Sequence, residues 1–292
     1  MTENRIDRAA LKRNLRRAYR SNPAAGVADF LAREIDRRMQ ERLDYVRLAP
    51  QWILDLGCGS GHSLSALQAR YPEAALLGVD AEASLLPDAN ATTSFYLAAD
   101  AEQLPLSANR FDLVWANLLL PWLSDPMAML REAMRVLKPG GLLMFSALGP
   151  YTLRELRAGF DDGHAHTQTF IDLHDLGDLL LATGFSDPVA DMEMLTLTYA
   201  SLDALIAELR AAGVTCAMQN RRKSLAGRGL RQKLEAHYES LRASRADGRL
   251  PVSVEIVYAH AWKGDSDERG QKTEKQMISV VPLRMGKAER SR

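Results

Sequence analysis

Residues Asp55-Leu56-Gly57-Cys58-Gly59-Ser60-Gly61 constrain this chain more than any other stretch. They follow the apolar run Trp52-Ile53-Leu54 and precede an amphipathic segment, Ser63 to Tyr71, which places them on a strand-to-helix turn. Glycine at such a turn adopts positive φ freely and lets a ligand approach the backbone. The first N–H groups of the following helix have no intrahelical partner and point toward whatever the turn holds. A second strand, Ala75 to Val79, ends at Asp80, 19 residues past Gly61. A third, Ser94 to Ala98, runs to Asp100, and a fourth, Phe111 to Trp115, runs to Asn117. Taken singly, each polar residue is a candidate helix cap. As a set they mark the carboxyl edge of an open α/β sheet, where ligands bind.

Strands and helices go on alternating through Leu148, the pattern of a parallel, doubly wound sheet. Asp125 and Pro126 read as N-cap and first residue of a helix that runs to about Leu137 and stops at Lys138-Pro139-Gly140-Gly141. Helices are expected at about Leu153 to Phe160 and His174 to Ala182. A strand from Pro188 to Tyr199 has its partner in Val252 to Trp262, which is rich in β-branched and aromatic residues. Between those strands a helical insertion at about 200–250 begins with Leu202, Leu205, Ile206 and Leu209 on one face, and reads as a cap at the sheet's rim. Two further helices precede the sheet. One is a basic stretch from about 5 to 20, interrupted at Ser21-Asn22-Pro23; the other carries the stripe Leu31, Ile35, Met39, Leu43. The expected organisation is N-terminal helices over 1–48 forming a partial lid, a sheet domain over 49–264, and a polar, disordered tail over 265–292.

Length and composition narrow the function. A chain of 292 residues with 47% apolar and 25% charged residues supports a substantial core. Formal net charge is zero, which implies no nucleic-acid partner. Only Cys58 and Cys216 occur, too few for a disulfide framework or thiolate metal site, and His164, His166 and His174 lack carboxylates at ligand spacing, so no metal is expected. No signal peptide or run of about 18 apolar residues is present; the expectation is a cytoplasmic protein without a membrane span.

The third glycine of the turn comes one residue earlier than a dinucleotide fingerprint requires, and an acid opens the motif. With Ala99-Asp100-Ala101-Glu102-Gln103-Leu104-Pro105 and Phe111-Asp112-Leu113-Val114, the pattern resembles the class I S-adenosylmethionine-dependent methyltransferases over about Gln51 to Leu148. The resemblance implies a Rossmann-like α/β fold: a seven-stranded, mostly parallel doubly wound sheet, an antiparallel last strand and a helical cap. It also implies S-adenosylmethionine as cofactor. Gly57, Gly59 and Gly61 would lie along its methionine part. Asp55 would order the loop and the ammonium end, Asp80 would take the ribose hydroxyls and Asp100 the adenine amino group. Ala101 and Leu118 would complete the site, with Asn117 beside the reactive methyl.

A closer likeness covers about Phe30 to Trp262. Asn117-Leu118-Leu119-Leu120-Pro121-Trp122-Leu123, Leu148 through Leu156, Phe170-Ile171-Asp172-Leu173-His174-Asp175 and Glu255-Ile256-Val257-Tyr258 resemble the malonyl-acyl-carrier-protein O-methyltransferases of biotin synthesis. That implies methylation of the free carboxylate of a malonyl thioester on acyl carrier protein, which lets fatty-acid enzymes extend it toward a pimeloyl unit. A carboxylate is ionised at pH 7, so no general base is needed. A forked guanidinium suits it, and Arg154 is the candidate. By resemblance Phe170 and Tyr199 surround the acceptor. Tyr19 stands in for the family's lid tyrosine, whose slot falls nearer Ala25-Gly26. Arg210, Arg221, Arg222, Lys223, Arg228, Arg231 and Lys233 follow one another with no acid between them, and are the expected docking surface for the acidic carrier protein. Three alternatives share the fold: an arginine hydroxylase acting on a respiratory-complex subunit, a non-catalytic assembly factor, and another small-molecule methyltransferase.

Overall fold

Seven runs of residues with β-branched and aliphatic character assemble into one sheet. The computed structural model describes residues 5–21, 30–87, 94–224 and 227–264. Strands β1 (Trp52–Leu56), β2 (Ala75–Asp80), β3 (Phe95–Ala98), β4 (Phe111–Ala116), β5 (Leu137–Leu148), β6 (Ser186–Tyr199) and β7 (Leu250–Trp262) lie in the order β3-β2-β1-β4-β5-β7-β6. The pairings β1–β2, β2–β3, β1–β4 and β4–β5 are parallel, and β7 runs antiparallel to both β5 and β6. The order reverses direction between β1 and β4, which opens a crevice past their carboxyl ends.

Side chains alternate between two cores, as a period of two demands. Leu54, Leu56, Val114, Ala116, Leu143 and Phe145 face helices α4 (Pro126–Val136) and α6 (Leu173–Thr183). Ile53, Leu113, Trp115, Leu142 and Met144 face α2 (Phe30–Arg42) and α3 (His62–Arg70). Helices α7 (Leu202–Ala211) and α8 (Arg228–Ala243) of the insertion add Leu205, Leu234 and Tyr238 to that second core. Burial on both faces explains why the central strands read as near-continuous apolar runs. The turn expected at Lys138-Pro139-Gly140-Gly141 is taken up into β5, where the Gly140 N–H donates to Lys263 O at 2.8 Å. Asp125 caps α4 as its position implied, its carboxylate accepting from Ala128 N at 3.2 Å.

Several contacts tie the N-terminal helices to this frame. Trp115, fully buried, donates through Nε1 to Asp36 Oδ1 of α2 at 3.0 Å. Helix α1 (Arg8–Ser21) is strapped to the insertion: Asp7 N donates to Ala217 O at 2.7 Å, Gln219 N to Arg5 O at 2.8 Å, and Arg221 pairs with Asp7 at 2.9 Å. Short α5 (Arg154–Ala158) follows β5. Among the described residues no helix is long and apolar enough to cross a membrane. The interruption at Asn22-Pro23, the slot at Ala25-Gly26 and the 265–292 tail lie outside the described residues.

Trp115→Phe keeps a ring in the core but removes the only donor that nitrogen offers to the buried Asp36. It should cost about 1–3 kcal/mol of stability, read as a lower urea midpoint with little change in slope.

Candidate active site

The glycine turn is pinned to the end of β2. Gly57 N and Cys58 N both donate to Val79 O, at 2.8 and 3.1 Å. Asp80 accepts from Gly59 N through Oδ2 at 3.0 Å and from Glu82 N through Oδ1 at 2.8 Å. Gly57 has φ 73°, and a Cβ there would come within 2.8 Å of the Leu119 side chain, so no other residue fits without strain. Gly61 caps the start of α3 at φ 79°, against the Tyr96 hydroxyl.

A cleft of about 660 Å³ lies over this turn, and Gly57, Gly59, Asp80, Asp100, Ala101, Asn117 and Leu118 are in its wall. Asp55 and Gly61 stand behind the wall. Asp55 is 1% exposed and its Oδ2 has no hydrogen-bond partner among the described residues. Burial, reinforced by the charges of Asp36 and Asp80, holds its pKa well above the carboxylate range. Burial also raises Asp80, against the lowering effect of its two backbone donors. Cys58 is pushed up by burial and then by Asp55. The donor set fits S-adenosylmethionine: carboxylates at strand ends accept from hydroxyl and amino groups, the turn exposes backbone, and the unanswered Asp55 oxygen favours a nearby cation.

The fourth side of the cleft is helix α1, and here the sequence reading needs correction. Tyr19 is 39% exposed and outside the wall; Arg8, Leu11, Lys12 and Leu15 line it instead. Their spacing of three, one and three residues is one helical face, a signal that was legible but outweighed by the search for an aromatic. Arg8 pairs with Asp100 at 2.5 Å and with Glu102, and Arg16 pairs with Glu82 at 2.9 Å. Glu82, 3% exposed and in the cleft wall, was missed because it lies two residues past the strand end.

Asn117 is held in the cleft wall by two hydrogen-bond partners. Its amide donates to Ala32 O at 2.8 Å and accepts from Ser146 Oγ at 2.7 Å, while Leu118 N donates to the same hydroxyl at 2.9 Å. Both ends of the amide are occupied in fixing the turn after β4, where Leu118 takes φ 55°.

Leu118 and Trp122 also line a second, apolar cavity of about 150 Å³. Phe170 and Tyr199 are in its wall, with Leu148, Leu205 and Val252. Tyr199 donates to Glu208 Oε1 at 3.0 Å; burial first, then Glu208, raises its pKa. Among the described residues no lysine, arginine or histidine lines this cavity. Arg154 lies outside it, more than half exposed, with Nε 3.1 Å from Glu155. It points to solvent because its helix turns the neighbouring Leu153 and Leu156 inward.

The cationic insertion is partly neutralised by distant acids. Arg221 pairs with Asp7, Arg222 with Asp162, Arg231 with Asp203 and Glu235, and Lys233 with Asp161. Arg210, Lys223 and Arg228 are exposed and have no ion pair among the described residues. His164 and His166 face Asp162, at 3.6 and 2.8 Å.

Comparison with known proteins gives the chain's relatives. Residues 54–145 match the family model described as "Methyltransferase domain". The chain is 43% identical over 271 residues to a protein of Methylovorus sp. (strain MP688) named malonyl-[acyl-carrier protein] O-methyltransferase, covering 88% of this chain and 90% of that one. A Laribacter hongkongensis protein of the same name is 42% identical, with 88% and 90% covered. In fold, the chain is similar to the YcgJ protein of Bacillus subtilis, with TM-score 0.57, 16% identity, and 79% and 99% covered.

A carboxyl group whose folded pKa is raised holds its proton more tightly in the folded chain than in the unfolded one. Stability therefore falls as pH climbs from the ordinary value, 3.8, to the raised one, and stays reduced beyond it. Asp55→Asn should accordingly raise the Tm of the ligand-free protein more at about pH 7.5 than at pH 4. It should also weaken binding of a cationic cofactor, read by calorimetry.

Proposed function

The chain belongs to the malonyl-[acyl-carrier protein] O-methyltransferase family, and from that membership we propose that it methylates the free carboxylate of a malonyl thioester on acyl carrier protein, with S-adenosylmethionine as donor, toward the pimeloyl unit of biotin. The observation that carries this reading is that two cavities share Leu118 and Trp122 in their walls: the acid-and-glycine cleft, and an apolar cavity with no basic side chain in its wall among the described residues.

When bound, S-adenosylmethionine supplies an electrophilic methyl on a positively charged sulfur. Gly57, Gly59, Asp80 and Asp100 would hold it, with Asp55 answering its ammonium end and α1 closing the outer side. The acceptor needs no base, because a carboxylate arrives deprotonated. What the chain supplies is alignment and exclusion of water: Leu118 and Trp122 shape the passage, and Leu148, Phe170, Leu205 and Val252 keep the acceptor side dry. Transfer from a cation to an anion abolishes both charges. An apolar cavity destabilises the separated ions more than it does the charge-dispersed path between them, which suits the reaction.

Carrier docking is assigned to the cationic insertion, Arg210, Arg221, Arg222, Lys223, Arg228, Arg231 and Lys233. Four of the seven are already answered within the chain, so steering of an acidic partner falls mainly to Arg210, Lys223 and Arg228.

Purified protein supplied with labelled S-adenosylmethionine should transfer label to malonyl-acyl carrier protein in preference to free malonate. Measured cofactor binding without any label on a malonyl thioester would overturn the assignment. Lys223→Glu with Arg228→Glu should raise KM for the carrier-bound acceptor about tenfold, and KM for malonyl-CoA less. Equal effects on both would remove these residues from docking.

A further inference from the structure

We propose that Arg157, rather than Arg154, receives an oxyanion of the acceptor molecule, in a third cavity that adjoins the apolar one. The proposal rests on the reading of the chain as a malonyl-thioester methyltransferase and adds a positioning residue to it. Arg157 lies one turn beyond Arg154 on α5, and its guanidinium folds back onto the loop carbonyls of Pro150 and Thr152. It lines a cavity of about 470 Å³ whose wall shares Gln168 and Phe170 with the apolar cavity. The apolar cavity in turn shares Leu118 and Trp122 with the acid-and-glycine cleft, so the three cavities follow one another along this side of the sheet.

The guanidinium is half-buried, and its charge is not spent. Nη1 and Nη2 donate to the carbonyl oxygens of Thr152 and Pro150, and Cζ sits 5.8 Å from the Phe170 ring centroid. Two of its five N–H donors are thereby used. No carboxylate reaches it within ion-pair distance among the described residues, and Glu155 acts on it only through its field. Burial pulls its pKa down, yet a guanidinium stays protonated across the physiological range. The other basic groups of the same wall, His164 and His166, are turned to Asp162. A desolvated cation answered by carbonyls and a ring face retains a strong preference for a forked oxyanion.

The proposed acceptor carries two such groups: the malonyl carboxylate and the phosphodiester of the pantetheine arm. Both offer paired oxygens, and the test separates them. Protein saturated with S-adenosylhomocysteine would be titrated calorimetrically with acetyl-pantetheine, malonyl-pantetheine and the 4′-phosphate of each. In the natural protein the added carboxylate, the added phosphate or both should tighten binding about tenfold. In Arg157→Met the gain from one of them should fall below about twofold. Loss of the malonyl-over-acetyl gain assigns the carboxylate; loss of the phosphate gain assigns the arm. A merely structural arginine would weaken all four ligands alike, and that result, or gains that survive intact, overturns the proposal. Should Arg157→Met unfold, the same comparison is read from Arg157→Lys, where a point charge without the fork should retain only part of the gain. Failure of the functional reading shows separately, as natural protein that methylates no malonyl thioester.

Discussion

The Asp80 carboxylate, at the end of β2, holds the glycine turn across from it with one oxygen and the start of its own loop with the other. Val79 O accepts two further N–H groups of the turn. With three of those four bonds on the turn itself, it cannot lift away from β2, and the direction of α3 is set by where it leaves Gly61. The parallel register of Leu56 with Val79 brings the two strand ends level, so a residue chosen for ligand chemistry also acts as a structural pin. An acid here is costly in isolation, because burial raises its pKa, and the backbone donors offset that cost.

Charge organises the rest of the site. Asp36, Asp55 and Asp80 sit close enough for each of the others to raise Asp55, and the Asp55 oxygen has no donor of its own. Around the outer rim, Asp100, Glu82 and Glu102 are met by Arg8 and Arg16 of α1. Behind the cleft wall one carboxyl oxygen, that of Asp55, is therefore left without a donor, while the acids at the edge are covered. The helix that covers it is also bound to the insertion through Asp7, Ala217, Gln219 and Arg221, so one element touches both the cofactor side and the cap over the acceptor side.

The cofactor half of the site was legible in the sequence because its residues are placed by local rules. Gly57 must be glycine for a positive φ beside Leu119, and Asp80 and Asp100 close strands whose periodicity is plain. The acceptor half was only partly legible. Phe170 and Tyr199 line the cavity, but Arg154 points to solvent, and no spacing rule distinguishes it from Arg157 three residues on, since both lie on one short helix. Tyr19 was displaced by its helix's own stripe of Arg8, Leu11, Lys12 and Leu15. The cationic run looked unopposed along the chain because its partners, Asp7, Asp161, Asp162 and Asp203, are remote in sequence or on the other side of a helix.

By itself the sequence determined the doubly wound sheet, the strand boundaries to within a few residues, and the acids and glycines at the ligand edge. Hydrophobic period, turn chemistry and motif spacing are properties of neighbouring residues, and a chain carries them openly. Tertiary structure alone decided which arginine faces a cavity, which carboxylate goes without a partner, and which charges cancel. Those outcomes depend on groups brought together from distant segments, and on desolvation that exists only once the core has closed.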